Sequence, residues 1–198
     1  MDLRPAPAAE ARRLRRGLSQ PPQEAARFLL GQVLVRRVAR RLIAVRIVET
    51  EAYLGIDDPA AHAYGGRRTA RTEPLWGPPG TVYVYFIYGM YHCLNLSVDR
   101  EGAPGCVLIR AAEPLAGSGV QPFDCRGPGR LCRALALDTS HSGLSVFAEK
   151  SGLWLREGTA PARVSVSPRV GITKAAEREL RYFDAQSAAV SGLRRRSR

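Results

Sequence analysis

Through the middle of the chain, apolar and polar residues alternate in short runs, the period-two pattern that predicts β-strands. "QVLVRR" (32–37) and "LIAVRIVETEAYL" (42–54) are joined through basic residues 36 to 41 and predict a hairpin. "TVYVYFIY" (81–88) and "MYHCLNLSV" (90–98) meet at Gly89 and predict a second one. "CVLIRAAEP" (106–114), "LWLRE" (153–157) and "ARVSVSP" (162–168) add further strands. Three segments read as helices instead. "QEAARFLLG" (23–31) follows Pro22 and stops at Gly31, "GPGRLCRALALD" (127–138) puts Pro128 near a helix start, and "TKAAERELR" (173–181) predicts a last helix. From Gly55 to Gly80 the chain is rich in glycine, proline and threonine, with one helical turn expected at "DPAAHAY" (58–64), where Asp58 could cap. A loop that long in a small domain usually carries function. The expected architecture is a single α+β domain over 21–186, a predominantly antiparallel sheet with a few helices.

The ends differ from this middle. Residues 1–20 mix proline, alanine and arginine without apolar periodicity, and residues 187–198 close on "GLRRRSR", so a flexible basic N-terminal arm and a basic C-terminal tail are expected. Thirty basic residues, two of them lysine, face 18 acidic ones, for a net charge of +12 over 198 residues. A surplus of arginine favours polyanions, and nucleic acid is the first partner to test, although a coding bias toward arginine would produce the same surplus. No apolar run reaches the ~20 residues of a membrane helix. Cys93, Cys106, Cys125 and Cys132 form no CxxC pair, which predicts ordinary reduced thiols and neither a zinc site nor a secreted disulfide framework.

Candidate chemistry concentrates in two strands. In "RIVETEAYL", Glu49, Glu51 and Tyr53 share one face of the pleat, next to the long loop. That arrangement suits a catalytic carboxylate, but the spacing alone favours a solvated edge face. "VYVYFIYGMYH" (82–92) holds four of the chain's seven tyrosines. Tyr83 and Tyr85 share a face, whereas Tyr88 is out of phase and precedes Gly89, so its ring can project from a hairpin tip. Ordinary aromatic packing on a strand is the commoner explanation of such a stretch. Arg110 ends an apolar run and would need an acidic partner if buried, and Asn95 is a polar intrusion of the same kind. Either could equally lie on an exposed face. His62 in the long loop reads more readily as a surface histidine than as a ligand or base, and His92 and His141 have no companions that suggest a metal site.

Taken together and in this order, "ETEAYLG", "AAH", "GGRRTART", "PPGTVYVYFIYGMYHCLN", "CVLIRAAEPLAG", "GPGRLCRALALD" and "PRVGI" resemble the alkyladenine (3-methyladenine) DNA glycosylase family, over nearly the whole chain from Gln23 to Asp184. The resemblance implies a curved antiparallel sheet with flanking helices and a protruding β-hairpin. It further implies a monofunctional enzyme that flips alkylated or deaminated purines out of duplex DNA and hydrolyses the N-glycosidic bond, without a cofactor or metal. By position, Glu51 matches the general base that activates water, and Arg110 the partner of the base and its water. Tyr53, His62 and Tyr85 match the residues that sandwich the extruded base, Asn95 the one that disfavours the 2-amino group of guanine, and Tyr88 the wedge in the minor groove. The expected setting is a cytoplasmic, DNA-associated monomer with duplex DNA containing damaged purines as partner.

Overall fold

A computed structural model describes residues 2–192. Eight strands, β1 (Val33–Val38), β2 (Arg41–Tyr53), β3 (Val82–Ile87), β4 (Tyr91–Ser97), β5 (Cys106–Pro114), β6 (Leu153–Arg156), β7 (Val164–Ser167) and β8 (Arg181–Asp184), join three helices, α1 (Ala8–Leu18), α2 (Pro22–Leu29) and α3 (Pro128–Ala134). The strands make one antiparallel sheet in the order β3-β4-β5-β2-β1-β6, with β8 pairing both β2 and β7. The α+β class, the antiparallel sheet and the protruding β3–β4 hairpin are those expected from the sequence.

The 13-residue β2 organises the molecule. Along one edge it pairs β5; along the other its first half pairs β1, and residues 49–51 pair β8. A register shift around residues 47–50 of the β2–β5 ladder lets one edge serve two partners in succession. With neighbours on both sides, Glu49 and Glu51 cannot lie on a solvated edge, and both are fully buried. The core lies between the sheet and the helices, where Leu14, Leu18 and Leu29 meet Leu34, Ile47, Leu96 and Ile109, with Leu131 of α3.

The structure departs from the sequence reading at four places. Over its described residues, 2–20, the expected flexible arm is packed instead, because α1 buries Leu14 and Leu18 completely. Two leucines at i and i+4 suffice to seat a helix once a neighbour covers them, although they make no extended stripe. Gly17 permits the close crossing of α1 on α2, since a Cβ there would fall 2.2 Å from the Phe28 ring. The salt bridges Glu10–Arg156 (2.9 Å) and Arg13–Glu157 (2.6 Å) clasp α1 against β6 and the residue after it.

The predicted tail is likewise packed over its described part. Ala189, Val190 and Ser191 are buried, and residues 193–198 lie outside the described residues. Residues 173–181 form no helix: Ala175 takes φ 48°, and Arg181 begins a strand that pairs β2. Sheet pairing overrides the helical propensity of that segment. In the long loop, 3₁₀ turns at Gly55–Asp57 and Tyr64–Gly66 replace the expected helical turn, and Asp58 forms a buried ion pair with Arg169.

Candidate active site

A cavity of about 550 Å³ opens where β2, β3, β4 and β5 face the long loop, the start of α3 and residues 170–172. Tyr53, His62, Tyr85, Tyr88, Asn95 and Arg110 all line it. Strands bring Tyr53, Tyr85, Asn95 and Arg110 there because side chains two apart share a face, and the hairpin tip brings Tyr88. Val82 and Val84, of opposite parity, enter the core. The volume lies within the roughly 300–1,000 Å³ of small-molecule pockets.

Glu51 is not on the cavity surface. It lies directly behind Tyr53, Arg110 and Val170, which are. Its Oε2 accepts from the Tyr53 hydroxyl at 3.0 Å, and its Oε1 accepts from the Val170 backbone N–H at 2.7 Å. The same Oε1 lies 3.3 Å from Arg110 Nη1. Burial raises the proton affinity of Glu51 above the usual carboxylate range; Arg110 and the two hydrogen bonds oppose that rise without cancelling it, and the nearby Glu49 adds to it. Burial alone would make Arg110 easier to deprotonate, but Glu51 and Glu49 reverse the effect and hold its charge more firmly than usual. The result is a base of raised proton affinity beside a fixed cation.

Aromatic groups form the walls. His62 and Tyr85 meet edge to face with centroids 4.7 Å apart, and His62 Nδ1 lies 2.8 Å from the Tyr83 hydroxyl. Partial burial and the nearby Arg71 and Arg67 lower the proton affinity of His62, so its ring is neutral near pH 7. Arg169 covers the Tyr53 ring at 4.6 Å. Burial pushes the hydroxyls of Tyr53 and Tyr85 well above the ordinary phenol range, so neither is a ready proton donor to a departing group. Asn95 is buried, and its Nδ2 donates to the backbone oxygens of Tyr83 (3.1 Å) and Cys93 (3.3 Å), which fixes the amide at the cavity wall.

At the mouth, Tyr88 stands 72% exposed with φ 55°, followed by Gly89 with φ 66° and exposed Met90. Two left-handed residues in succession turn the hairpin tightly and leave the Tyr88 ring without packing. All seven residues singled out in the sequence thus gather at one cavity or, for Glu51, immediately behind it. Sequence reasoning assigns no role to Val170, Arg169 or Ser191, although the first two fall in "PRVGI", one of the segments that carry the resemblance. A backbone N–H leaves no signature in side-chain patterns, so the motif alone does not say what Val170 does. Among the described residues no group of three or more His, Cys, Asp or Glu is placed to hold a metal ion, and no helix is long and apolar enough to cross a membrane.

Comparison with known proteins points the same way as this geometry. Residues 16–188 match the family described as methylpurine-DNA glycosylase (MPG). A relative from Koribacter versatilis named as a 3-methyladenine DNA glycosylase is 46% identical over 89% of this chain and 91% of its own. One of the same name from Synechococcus elongatus is 46% identical over 91% of each chain. The DNA-3-methyladenine glycosylase of Mus musculus is 44% identical over 87% of this chain, which corresponds to 59% of the mouse protein.

Proposed function

Because the chain belongs to the methylpurine-DNA glycosylase family, we propose that it excises alkylated and deaminated purines from duplex DNA, the first step of base excision repair. The substrate range proposed is 3-methyladenine, 7-methylguanine, hypoxanthine and ethenoadenine. The observation that carries the reading is Glu51, buried directly behind Arg110 at a cavity walled by Tyr53, His62 and Tyr85.

A base inside a duplex cannot reach such a cavity, so the nucleotide must leave the stack at a cost of a few kcal/mol. Tyr88, unpacked at the hairpin tip, offsets part of that cost by entering the vacated space. Tyr53 takes one face of the extruded base and the His62–Tyr85 pair the other, and stacking contributes roughly 1 to 3 kcal/mol per ring with little dependence on base identity. That tolerance suits a family of differently damaged purines. Asn95, held by two carbonyls, presents a fixed edge that tells a guanine 2-amino group from a hydrogen.

As the N-glycosidic bond breaks, positive charge develops on the sugar, and an ionised carboxylate stabilises it and takes a proton from the attacking water. Glu51 fills both roles once water enters beside Arg110 and Val170, which also hold the carboxylate in place. Cationic N-alkylpurines leave without acid assistance, so they react faster than neutral hypoxanthine. Among the described residues no lysine lines the cavity, and the reaction proposed ends at an abasic site without strand cleavage. The test is a panel of duplexes, each with one modified purine, incubated with the protein and treated with alkali to cut abasic sites. Release from none of them would overturn the reading, and borohydride trapping of a protein–DNA adduct would overturn the monofunctional mechanism.

A further inference from the structure

The buried charges behind the cavity extend past Glu51 and Arg110. Glu49, two residues earlier on β2 and fully buried, accepts four hydrogen bonds. They come from Arg110 Nε (3.0 Å), Arg181 Nε (2.7 Å), the Ser191 backbone N–H (2.6 Å) and Ser191 Oγ (2.9 Å). Arg110 is thereby held at two points, because its Nη2 also donates to Ser191 Oγ at 3.3 Å. A guanidinium is a rigid planar fork, so fixing Nε on Glu49 and Nη2 on Ser191 fixes the direction of Nη1. That third nitrogen is the one that faces Glu51.

We propose that Glu49, closed from behind by Ser191, is a positioning residue for base excision: it aims Arg110 Nη1 at Glu51 and shares the arginine's charge. The proposal rests on the glycosylase reading above. With the charge shared, Glu51 keeps a proton affinity high enough to take a proton from water. Without Glu49, the whole of that charge would fall on Glu51 and make it a weaker base.

The other groups facing Glu51 do not substitute for Glu49. Tyr53 shares its strand and donates a hydrogen bond; Val170 and Arg169 approach from the segment after β7 with an N–H and a cation; Cys93 on β4 is a buried thiol. Of these, the Tyr53, Val170 and Arg169 contacts favour the ionised carboxylate. Glu49 is the acidic side chain among them that acts in the opposite sense.

The test is the pH dependence of single-turnover base release from a duplex carrying one 7-methylguanine, a cationic base whose departure needs no acid, so that the acid limb reports the base. The native protein is the control, and if it released nothing the glycosylase reading would fail instead. For folded Glu49→Gln, the plateau rate should fall about tenfold. Its acid limb should move to lower pH by roughly one unit, with duplex affinity unchanged. A rate loss with the acid limb unmoved, or no rate loss, would overturn the proposal. If Glu49→Gln does not fold, Ser191→Ala decides, because it removes one hydroxyl and keeps the backbone donor. A plateau rate reduced about fivefold at native duplex affinity supports the aiming role, and a native rate overturns it.

Discussion

Glu51 Oε1 sits 3.3 Å from Arg110 Nη1, with the two side chains 0% and 9% exposed. Two ions so placed hold each other against desolvation, and removing either leaves a buried charge without its partner. Arg110 still has a carboxylate partner in Glu49, which it shares with Arg181, so Glu51→Gln should keep the fold. The expected outcome is a loss of base release of about 10² to 10⁴-fold with duplex affinity preserved. Single-turnover cleavage assays paired with fluorescence anisotropy make the comparison. Unchanged release would remove Glu51 from the mechanism.

The raised proton affinity of Glu51 makes a pH prediction. Burial is its main cause, so the group is still partly protonated at a pH where an exposed glutamate is fully ionised. A base acts only when deprotonated, and the rate on a cationic substrate should therefore rise with pH through a midpoint above 4.5. His62 titrates on the same wall, with its proton affinity lowered by burial and by Arg71 and Arg67, so a His62→Phe variant that keeps the acid limb assigns that limb to Glu51. A rate independent of pH from 4 to 8, on protein that circular dichroism shows to be folded, would contradict this assignment.

Tyr88 separates recognition from stability. A non-glycine residue at φ 55° is strained by roughly 1 kcal/mol, and this side chain, 72% exposed, gains little from packing in return. Tyr88→Gly should leave the melting temperature unchanged or slightly raised, while Tyr88→Ala keeps most of the strain. Both should weaken duplex binding and release from a paired site more than release from a single strand, where no space opens on flipping. Equal losses on the two substrates would make Tyr88 an ordinary surface aromatic.

Leu14 tests how far the N-terminal segment belongs to the domain. It is fully buried against the core, so Leu14→Ala should cost about 2 to 5 kcal/mol in urea unfolding. A free arm would show no change.

What could be read from the chain alone follows from how far each signal reaches. Alternation in "VYVYFIY" is a local property: it puts Tyr83 and Tyr85 on one face, and in the structure that face meets the cavity while Val82 and Val84 enter the core. Glu51 misled, because its spacing is equally that of an exposed edge. Only the pairing of β2 on both sides buries it, and that depends on β8, more than 120 residues later. The residues leading into β8 predict a helix, since alanine and glutamate favour one, and nothing in residues 173–181 announces a partner at Glu49 to Glu51. The helix α1 failed for the reverse reason: its two buried leucines are too few to show against eleven residues rich in alanine and arginine. Local chemistry was legible, and long-range burial was not.

Asp58 and Arg169 give the most direct test of what holds the cavity open. Arg169 Nη1 and Nη2 reach the two carboxylate oxygens at 2.5 and 2.9 Å, with both side chains wholly buried. The pair joins the long loop that carries His62 to the segment that carries Val170, and Arg169 also bonds the Ala52 carbonyl (3.0 Å) and covers Tyr53. Asp58→Asn takes from Arg169 its buried ion-pair partner, which costs about 3 to 5 kcal/mol, a large part of the total stability of a domain this size. Burial alone would raise the proton affinity of Asp58, but Arg169 and the N–H groups of Leu54 and Ala60 overcome it and hold the group below the usual carboxylate range. A depressed folded-state pKa contributes stability above the unfolded value, near 3.9, that is lost as pH falls through the folded one. The native protein should therefore exceed Asp58→Asn in urea midpoint at pH 7, and the gap should narrow progressively below pH 4. A gap of constant size down to pH 2 would mean that the asparagine disturbs packing and that the ion pair itself contributes little. No gap at any pH would mean that the loop is anchored by something other than this pair.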